Sequence, residues 1–260
     1  MARLCPLFSG SSGNSYYIGS RSGGVLIDCG RSARQTEGML RLCGIDPLAL
    51  HAVFVTHEHT DHTSGIRVFA KKFGLPVYAS PGTLEAIAPG LPEADLRPLT
   101  GPVEAAGMVL EAFPVSHDCI QPVGYRVHTG DGRNFCLATD LGCLSEEVKE
   151  ALRGCDAVVL ESNHDVELLR SGPYPYHLKR RILSDQGHLS NEICAAFLPE
   201  LLRSGVRRFI LGHLSRENNR PQLALDAALS ALSQAGYRRE VDYLLEAAPV
   251  ENTQARTVIF

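Results

Sequence analysis

The sequence predicts an α/β fold, a two-sheet core with helices on its outer faces. Three observations lead there. Short runs rich in Val, Ile, Phe and Tyr, bounded by Gly, Pro, Asn or Asp, occur in both halves of the chain. Between them lie stretches with the wider spacing of helices, several opened by a capping residue. With 260 residues, 44% of them hydrophobic, the chain can bury roughly 70–75% of its unfolded surface, enough for a large two-layer core without staples.

In chain order, strands are expected at Tyr16–Ile18 and Val25–Asp28, then a helix over Ala33–Cys43 that Gly44 stops. Ala52–Thr56 is the next strand, followed by a helix over Ser64–Phe73 ending at Gly74. Val77–Ala79 precedes a helix over Gly82–Ala88, opened by Thr83 or by Pro81-Gly82. Val109–Pro114, Gly124–Val127 and Asn134–Thr139 read as strands, and Ser145-Glu146-Glu147 opens a helix to Arg153. Ala157–Leu160 is a strand and Tyr176–Ser184 a helix. Ser190 with Asn191 opens a helix to Ser204, stopped by Gly205. Arg208–Leu211 is the last strand and Gln222–Ala235 the last helix, stopped by Gly236. No linker or repeat interrupts the series, so residues 1–260 read as a single domain, with a seam near residues 120–125 between two similar halves.

Composition narrows the function classes. Lys+Arg 25 against Asp+Glu 29 gives a net charge of −4, which excludes coating of nucleic acid by net charge but not a local basic face. No apolar run approaches the ~20 residues of a membrane span, so no membrane partner is expected. The first residues, Met1 to Pro6, lack the apolar core of a secretory signal. The eight cysteines form no C-x-x-C and read as mostly buried, reduced thiols of a cytoplasmic protein.

The histidines carry the functional reading. His57-Glu58-His59-Thr60-Asp61-His62 places His57, His59, Asp61 and His62 directly after the strand Ala52–Thr56. Imidazole with carboxylate suits Zn, Fe, Mn or Ni. The spacing is too tight for one helical face, but a loop at a strand end can aim alternate side chains at two points. The competing reading, a polar loop that caps the next helix, leaves the density of ligands unexplained.

The H-x-H-x-D-H segment after a strand resembles the signature of the metallo-β-lactamase superfamily. That family has a four-layer αββα sandwich of two similar halves, and the likeness covers most of the chain. The family pattern continues with His117 after Ala112–Ser116, Asp140 after Phe135–Thr139 and His213 after Phe209–Gly212. By resemblance, one metal takes His57, His59 and His117, a second takes Asp61, His62 and His213, and Asp140 bridges. The resemblance implies two divalent ions, Zn, Mn or Fe, activating a shared water to hydroxide, with Asp61 orienting that water or taking its proton. Asp28, in Val25-Leu26-Ile27-Asp28, takes the family's structural role behind the ligands.

Three further segments go beyond the minimal family pattern: Glu161-Ser162-Asn163-His164-Asp165, Gly187-His188-Leu189-Ser190-Asn191 and His213-Leu214-Ser215 with Glu217-Asn218-Asn219. They resemble the tRNA 3′-processing branch, where the intermediate histidine donates a proton or stabilises the oxyanion. That role falls on His188; the competing reading is that His188 only helps to cap a helix. Together with Ser9–Ser15 and Gly172–Pro175, these segments resemble the YycJ/WalJ group of bacterial cytoplasmic proteins linked to DNA-directed 5′-exonuclease activity. Ser11, Asn14, Glu161, His164 and Asn218 are then expected behind the ligands or against substrate. His164 is balanced between substrate contact and a structural hydrogen bond. The Gly/Ser loop reads either as backbone N–H groups facing phosphate or as a flexible turn. His51, His128 and His177 read as surface or core residues.

Residues 167–239 hold 11 Lys+Arg and 6 Asp+Glu, and Lys179-Arg180-Arg181 falls just before His188, an asymmetry that can steer a polyanion. The expected function is therefore a dinuclear-metal phosphodiesterase, a 5′-exonuclease on DNA rather than RNA. The alternatives are a small-molecule phosphodiesterase, a carbonyl hydrolase of β-lactamase, lactonase or thioesterase type, and a non-enzymatic partner on the same scaffold. Against the carbonyl hydrolase, Asp140 stands where the best-known zinc β-lactamases use Cys. Against the non-enzymatic partner, no ligand is missing. The 72 residues between Asp140 and His213 leave no room for an inserted clamp domain. The binding surface would then be completed by a homo-oligomer or by an accessory repair or replication protein.

Overall fold

The computed structural model describes residues 2–20 and 23–260; Met1, part of the N-terminal reading above, lies outside the described residues. The elements in chain order are β1 (Arg3–Phe8), β2 (Ser15–Ser20), β3 (Gly23–Ile27), α1 (Ala33–Leu42), β4 (Leu50–Phe54), α2 (Thr60–Thr63), α3 (Ile66–Phe73), β5 (Val77–Ala79), α4 (Pro81–Ile87), β6 (Leu96–Pro98), β7 (Val103–Ala105) and β8 (Met108–Pro114). They continue with β9 (Val123–Thr129), β10 (Asn134–Ala138), α5 (Glu146–Leu152), β11 (Ala157–Glu161), α6 (Val166–Ser171), α7 (Tyr176–Ile182), α8 (Asn191–Arg203), β12 (Arg208–Gly212), α9 (Pro221–Gln234), β13 (Leu244–Ala247) and β14 (Val258–Ile259). The strands make two mixed sheets with helices packed on them.

The chain divides into two compact units. The first comprises residues 1–112, 119–133 and 249–260. Its sheet runs β14-β1-β2-β3-β4-β5-β6, antiparallel through β3 and parallel from β3 to β6. Leu26, Val53, Val55 and Val77 pack with Met39 and Leu40 of α1 and Ile66, Phe69 and Ala70 of α3. β7 and β8 pair antiparallel in the same unit. The second unit comprises residues 113–118 and 134–248. There β10, β11, β12 and β13 are parallel neighbours. Their side chains Cys136, Val158, Phe209 and Leu245 share a core with Val148 and Leu152 of α5, Leu198 and Leu201 of α8, and Ala228 and Leu232 of α9. β10 and β11 read as near-continuous apolar runs because such strands are buried on both faces.

The expected strands and helices all form, with boundaries moved by at most two residues. Ser145 and Ser190 cap α5 and α8 by accepting from the N–H of Val148 and Ile193. The opening of α4 is corrected: Ser80 is its cap, accepting from the Thr83 N–H, with Pro81 in the first turn. β1, β6, β7, β13, β14, α2 and α6 were not anticipated. β1 contains Pro6, which argues against a central strand, and the strand absorbs it with a register shift between Pro6 and Phe8. The other six span two to six residues, too few for a period to register. The seam expected near residues 120–125 is replaced by unit boundaries after residues 112, 118, 133 and 248.

Candidate metal centre

In the first unit the histidine segment leaves the carboxyl end of a parallel strand, β4, where open α/β sheets place their ligands. His59 occupies the N-cap position of α2 without a side-chain capping bond, and the single turn of that helix displays Asp61 and His62. The side chain that organises this loop is Asp28, just past β3, fully buried and bent off the strand by a left-handed φ of 63°. Its Oδ1 accepts from the Thr56 N–H at 2.8 Å, and its Oδ2 accepts from Thr56 Oγ1 at 2.9 Å and His62 Nδ1 at 2.8 Å. Burial pushes the Asp28 carboxyl up, and His62 and Thr56 oppose that. A carboxylate only accepts, so Nδ1 of His62 carries the proton and Nε2 keeps its lone pair. Because Thr56 Oγ1 donates to Asp28, it accepts from His57 Nδ1 at 3.0 Å, which leaves His57 Nε2 basic as well. This is the arrangement that orients histidines as metal ligands. His57 Nε2 and His59 Nδ1 converge to 3.1 Å, and the His57 and His62 rings lie 4.0 Å apart.

Asn14 holds the loop from the other side. Its Nδ2 lies 3.0 Å from His62 Nε2 and 3.4 Å from Asp61 Oδ2, while its Oδ1 accepts from the Gly10 N–H at 2.9 Å. Asp61 Oδ2 is itself 3.7 Å from His62 Nε2. The backbone approach here requires Gly30, where a Cβ would sit 1.6 Å from the Asp61 carbonyl oxygen. Ser11 lies exposed in the turn of the Gly/Ser loop.

In the second unit Asp140, Glu161 and His213 come from the carboxyl ends of the adjacent strands β10, β11 and β12. Asp140 and His213 both take left-handed φ values, 58° and 52°, which turn their side chains off the strand axis. Donor atoms of Asp140, Glu161, His188 and His213 all lie within 4.8 Å of one another. Glu161 is the hub and is fully buried. Its Oε1 accepts from Nδ1 of His188 at 2.8 Å and Nδ1 of His213 at 2.9 Å. Its Oε2 accepts from the Leu141 and Leu189 N–H groups at 2.8 and 3.3 Å. Burial pushes this carboxyl up, but the two histidines outweigh it and hold the group at about 2. Asp140 Oδ1 stands 3.3 Å from His213 Nδ1 and 4.0 Å from His188 Nδ1. His117 Nδ1 donates to the Gly187 carbonyl at 3.0 Å, leaving Nε2 as its ligand atom, and burial lowers its pKa so that the neutral, ligating form prevails.

His164 is buried, its backbone carbonyl accepting from Asn191 N–H at 2.9 Å; neither ring nitrogen has a hydrogen-bond partner among the described residues. Asn218 is buried too, its backbone carbonyl accepting from the Asp165 N–H at 2.9 Å and its side chain beside Ser215. Both sit in the framework that ties the three loops of this unit together, with Asn219 Nδ2 donating to the Ser162 and Asn163 carbonyls at 2.9 Å. His51 and His177 are exposed, and His128 pairs with Glu111 at 3.5 Å.

The "Beta-lactamase superfamily domain" family matches residues 24–214. The chain belongs to the metallo-β-lactamase superfamily. Among superfamily members it is similar to exodeoxyribonuclease YycJ of Bacillus anthracis, 38% identical over 89% of each chain. It is also 38% identical to exodeoxyribonuclease WalJ of Streptococcus pneumoniae serotype 2, over 91% of this chain and 90% of that one. Among solved structures, the metallo-β-lactamase fold protein YhfI from Bacillus subtilis superposes with a TM-score of 0.69 at 17% identity, covering 96% of this chain and 97% of that one. The expected fold is thus the observed one.

The donor chemistry in each unit fits a divalent cation of the kind superfamily members carry: neutral imidazoles oriented by buried acceptors, with a carboxylate beside them. Sequence reasoning missed Thr56, which relays Asp28 to two histidines, and the shared hold of Glu161 on His188 and His213. A carboxylate closing the apolar run Ala157-Val158-Val159-Leu160 was the available signal for Glu161.

Proposed function

We propose that the protein is a metal-dependent phosphodiesterase acting as a 5′-exonuclease on DNA, with two divalent ions of Zn, Mn or Fe. In this reading His57, His59 and His117 serve one ion, Asp61, His62 and His213 the other, and Asp140 both. The observation that carries the activity is the 38% identity, over nine-tenths of the chain, to proteins named exodeoxyribonucleases. The donor set of the second unit, Asp140, Glu161, His188 and His213, supports the metal requirement. Two such ions would supply hydroxide at neutral pH and neutralise charge on the phosphate oxygens.

The chain's own residues do the rest. Glu161 fixes the Nδ1 proton of His188, so Nε2 is the atom available to hydrogen-bond a phosphate oxygen or to protonate the leaving 3′ oxygen. Asp28 and Thr56 hold the Nδ1 protons of His62 and His57, so that in the neutral rings Nε2 is the ligand nitrogen. Asp61, held beside Asn14, is the carboxylate placed to take a proton from the attacking water. The proposed setting is the cytoplasm; among the described residues no helix is long and apolar enough to cross a membrane. An accessory repair or replication protein, or a second copy, would extend the binding surface.

The test is cleavage of end-labelled single- and double-stranded DNA by metal-stripped protein reloaded with Mn²⁺ or Zn²⁺, with Asp140→Ala alongside. Shortening from the 5′ end that needs metal and is absent in the variant is the expected result. No cleavage with both metals bound would move the assignment to small phosphodiesters or carbonyl substrates.

A further inference from the structure

Tyr176 is the most conspicuous unexplained side chain of the second unit. It is 76% exposed at the start of α7, and no core residue needs it. One turn later the Arg180 guanidinium lies 5.9 Å from its ring centroid. An aromatic ring with a cation over it, both open to solvent, is the pairing that single-stranded nucleic acids use: the bases stack and the guanidinium meets phosphate.

The basic run Lys179-Arg180-Arg181 resolves into three separate roles. Lys179 Nζ donates to the Arg170 and Gly172 carbonyls at 2.7 Å, closing the turn before α7. Arg181 forks onto Asp118, with Nη2 to Oδ1 at 2.9 Å. Among the described residues Arg180 has its ring partner and no hydrogen bond or ion pair. Residues 168–184 contain Arg170, Lys179, Arg180 and Arg181 and no Asp or Glu, with Glu167 and Asp185 flanking them; Arg170 pairs with Glu167 at 3.3 Å.

The helix is also fastened to the catalytic loops of its own unit. Asp118, which Arg181 grips, follows His117, and the His188 N–H donates to the Ile182 carbonyl at 3.0 Å. Gly187 has no room for a side chain, since a Cβ would meet the Arg181 carbonyl oxygen at 2.2 Å. At ~1.5 Å rise per residue, Tyr176 stands about 9 Å along the helix from the carbonyl that holds His188. Tyr176 and His188 are thus fastened to opposite ends of one short helix of the same unit.

We propose that Tyr176 and Arg180 form a stacking platform for single-stranded nucleic acid, holding the strand beside the site that cuts it. This rests on the phosphodiesterase reading. The platform contributes to positioning and affinity, not to chemistry.

The test compares wild type with Tyr176→Ala, Tyr176→Phe and Arg180→Ala, all checked for folding by thermal melting. One arm measures KM and kcat for a 5′-phosphorylated 12-mer and for a dinucleotide. The other measures binding of a labelled 12-mer by fluorescence anisotropy in chelator, which needs no turnover. Tyr176→Ala should weaken 12-mer binding by about 5- to 100-fold and raise its KM, with the dinucleotide unchanged. Tyr176→Phe should keep most of the affinity, and Arg180→Ala should lose part of it and flatten the salt dependence. Equal 12-mer binding by wild type and Tyr176→Ala would overturn the platform, whether or not the protein cleaves DNA. Absence of cleavage by wild type with the binding difference intact would overturn the nuclease reading alone.

Discussion

Glu161→Gln is the substitution that most directly probes the second unit, because its cost can be counted from the hydrogen bonds. The carboxylate is fully buried and accepts four: two from histidine Nδ1 atoms at 2.8 and 2.9 Å and two from backbone N–H groups at 2.8 and 3.3 Å. A glutamine can present oxygen to only one pair. If its oxygen faces the histidines, its NH₂ confronts the N–H groups of Leu141 and Leu189. If it is flipped, its NH₂ confronts both Nδ1 atoms, which must then shift their protons to Nε2, so that His213 can no longer serve as a ligand. In the first orientation two buried donors lose an acceptor at about 1–3 kcal/mol each, or about 2–6 kcal/mol together. That is a large share of the ~5–15 kcal/mol that holds a domain folded. In the second the contacts are kept and the cost falls on the displaced histidine protons and on metal binding.

The pH dependence provides a second reading of the same group. The Glu161 carboxyl is held at about 2, below its ordinary 4.5. A lowered folded-state pKa gives stability that is complete above the ordinary carboxyl pKa and drains away as pH falls through the folded-state value. Urea unfolding of metal-stripped wild type and Glu161→Gln between pH 7 and pH 2.5 measures both effects. The variant should be less stable by the amount above at pH 7, and the gap should narrow below pH 4.5. Equal stability at pH 7, or a gap independent of pH, would refute the account of Glu161 as a charged hub.

Other substitutions separate the roles of individual residues. His59→Ala and Asp140→Ala should each lose bound metal and DNA cleavage together, read by metal analysis and gel assay. His188→Ala should keep its metal while turnover falls by about 10²- to 10⁴-fold; loss of metal would make it a ligand instead. Asp28→Asn keeps the left-handed backbone, which Asn tolerates, but sets an NH₂ against the donors of Thr56 or His62. Its metal affinity should fall by about 10- to 100-fold in a chelator competition.

What the sequence by itself determined was the class of chemistry and most of the framework. His57, His59, Asp61 and His62 crowd into six residues after an apolar strand, and Asp140 and His213 each follow another. Strand-end position is legible because apolar runs and their ends are local features. Tertiary structure alone decided which acceptor fixes which ring. Asp28 lies 34 residues from His62, and Glu161 lies 27 and 52 residues from the two histidines it holds. Parallel strands join positions remote in sequence through register, and no local pattern encodes register between distant strands. For the same reason the run Lys179-Arg180-Arg181 looked uniform in sequence. The fold spends Lys179 on carbonyls and Arg181 on Asp118, and it leaves Arg180 beside an exposed ring, because a helix points successive residues in different directions.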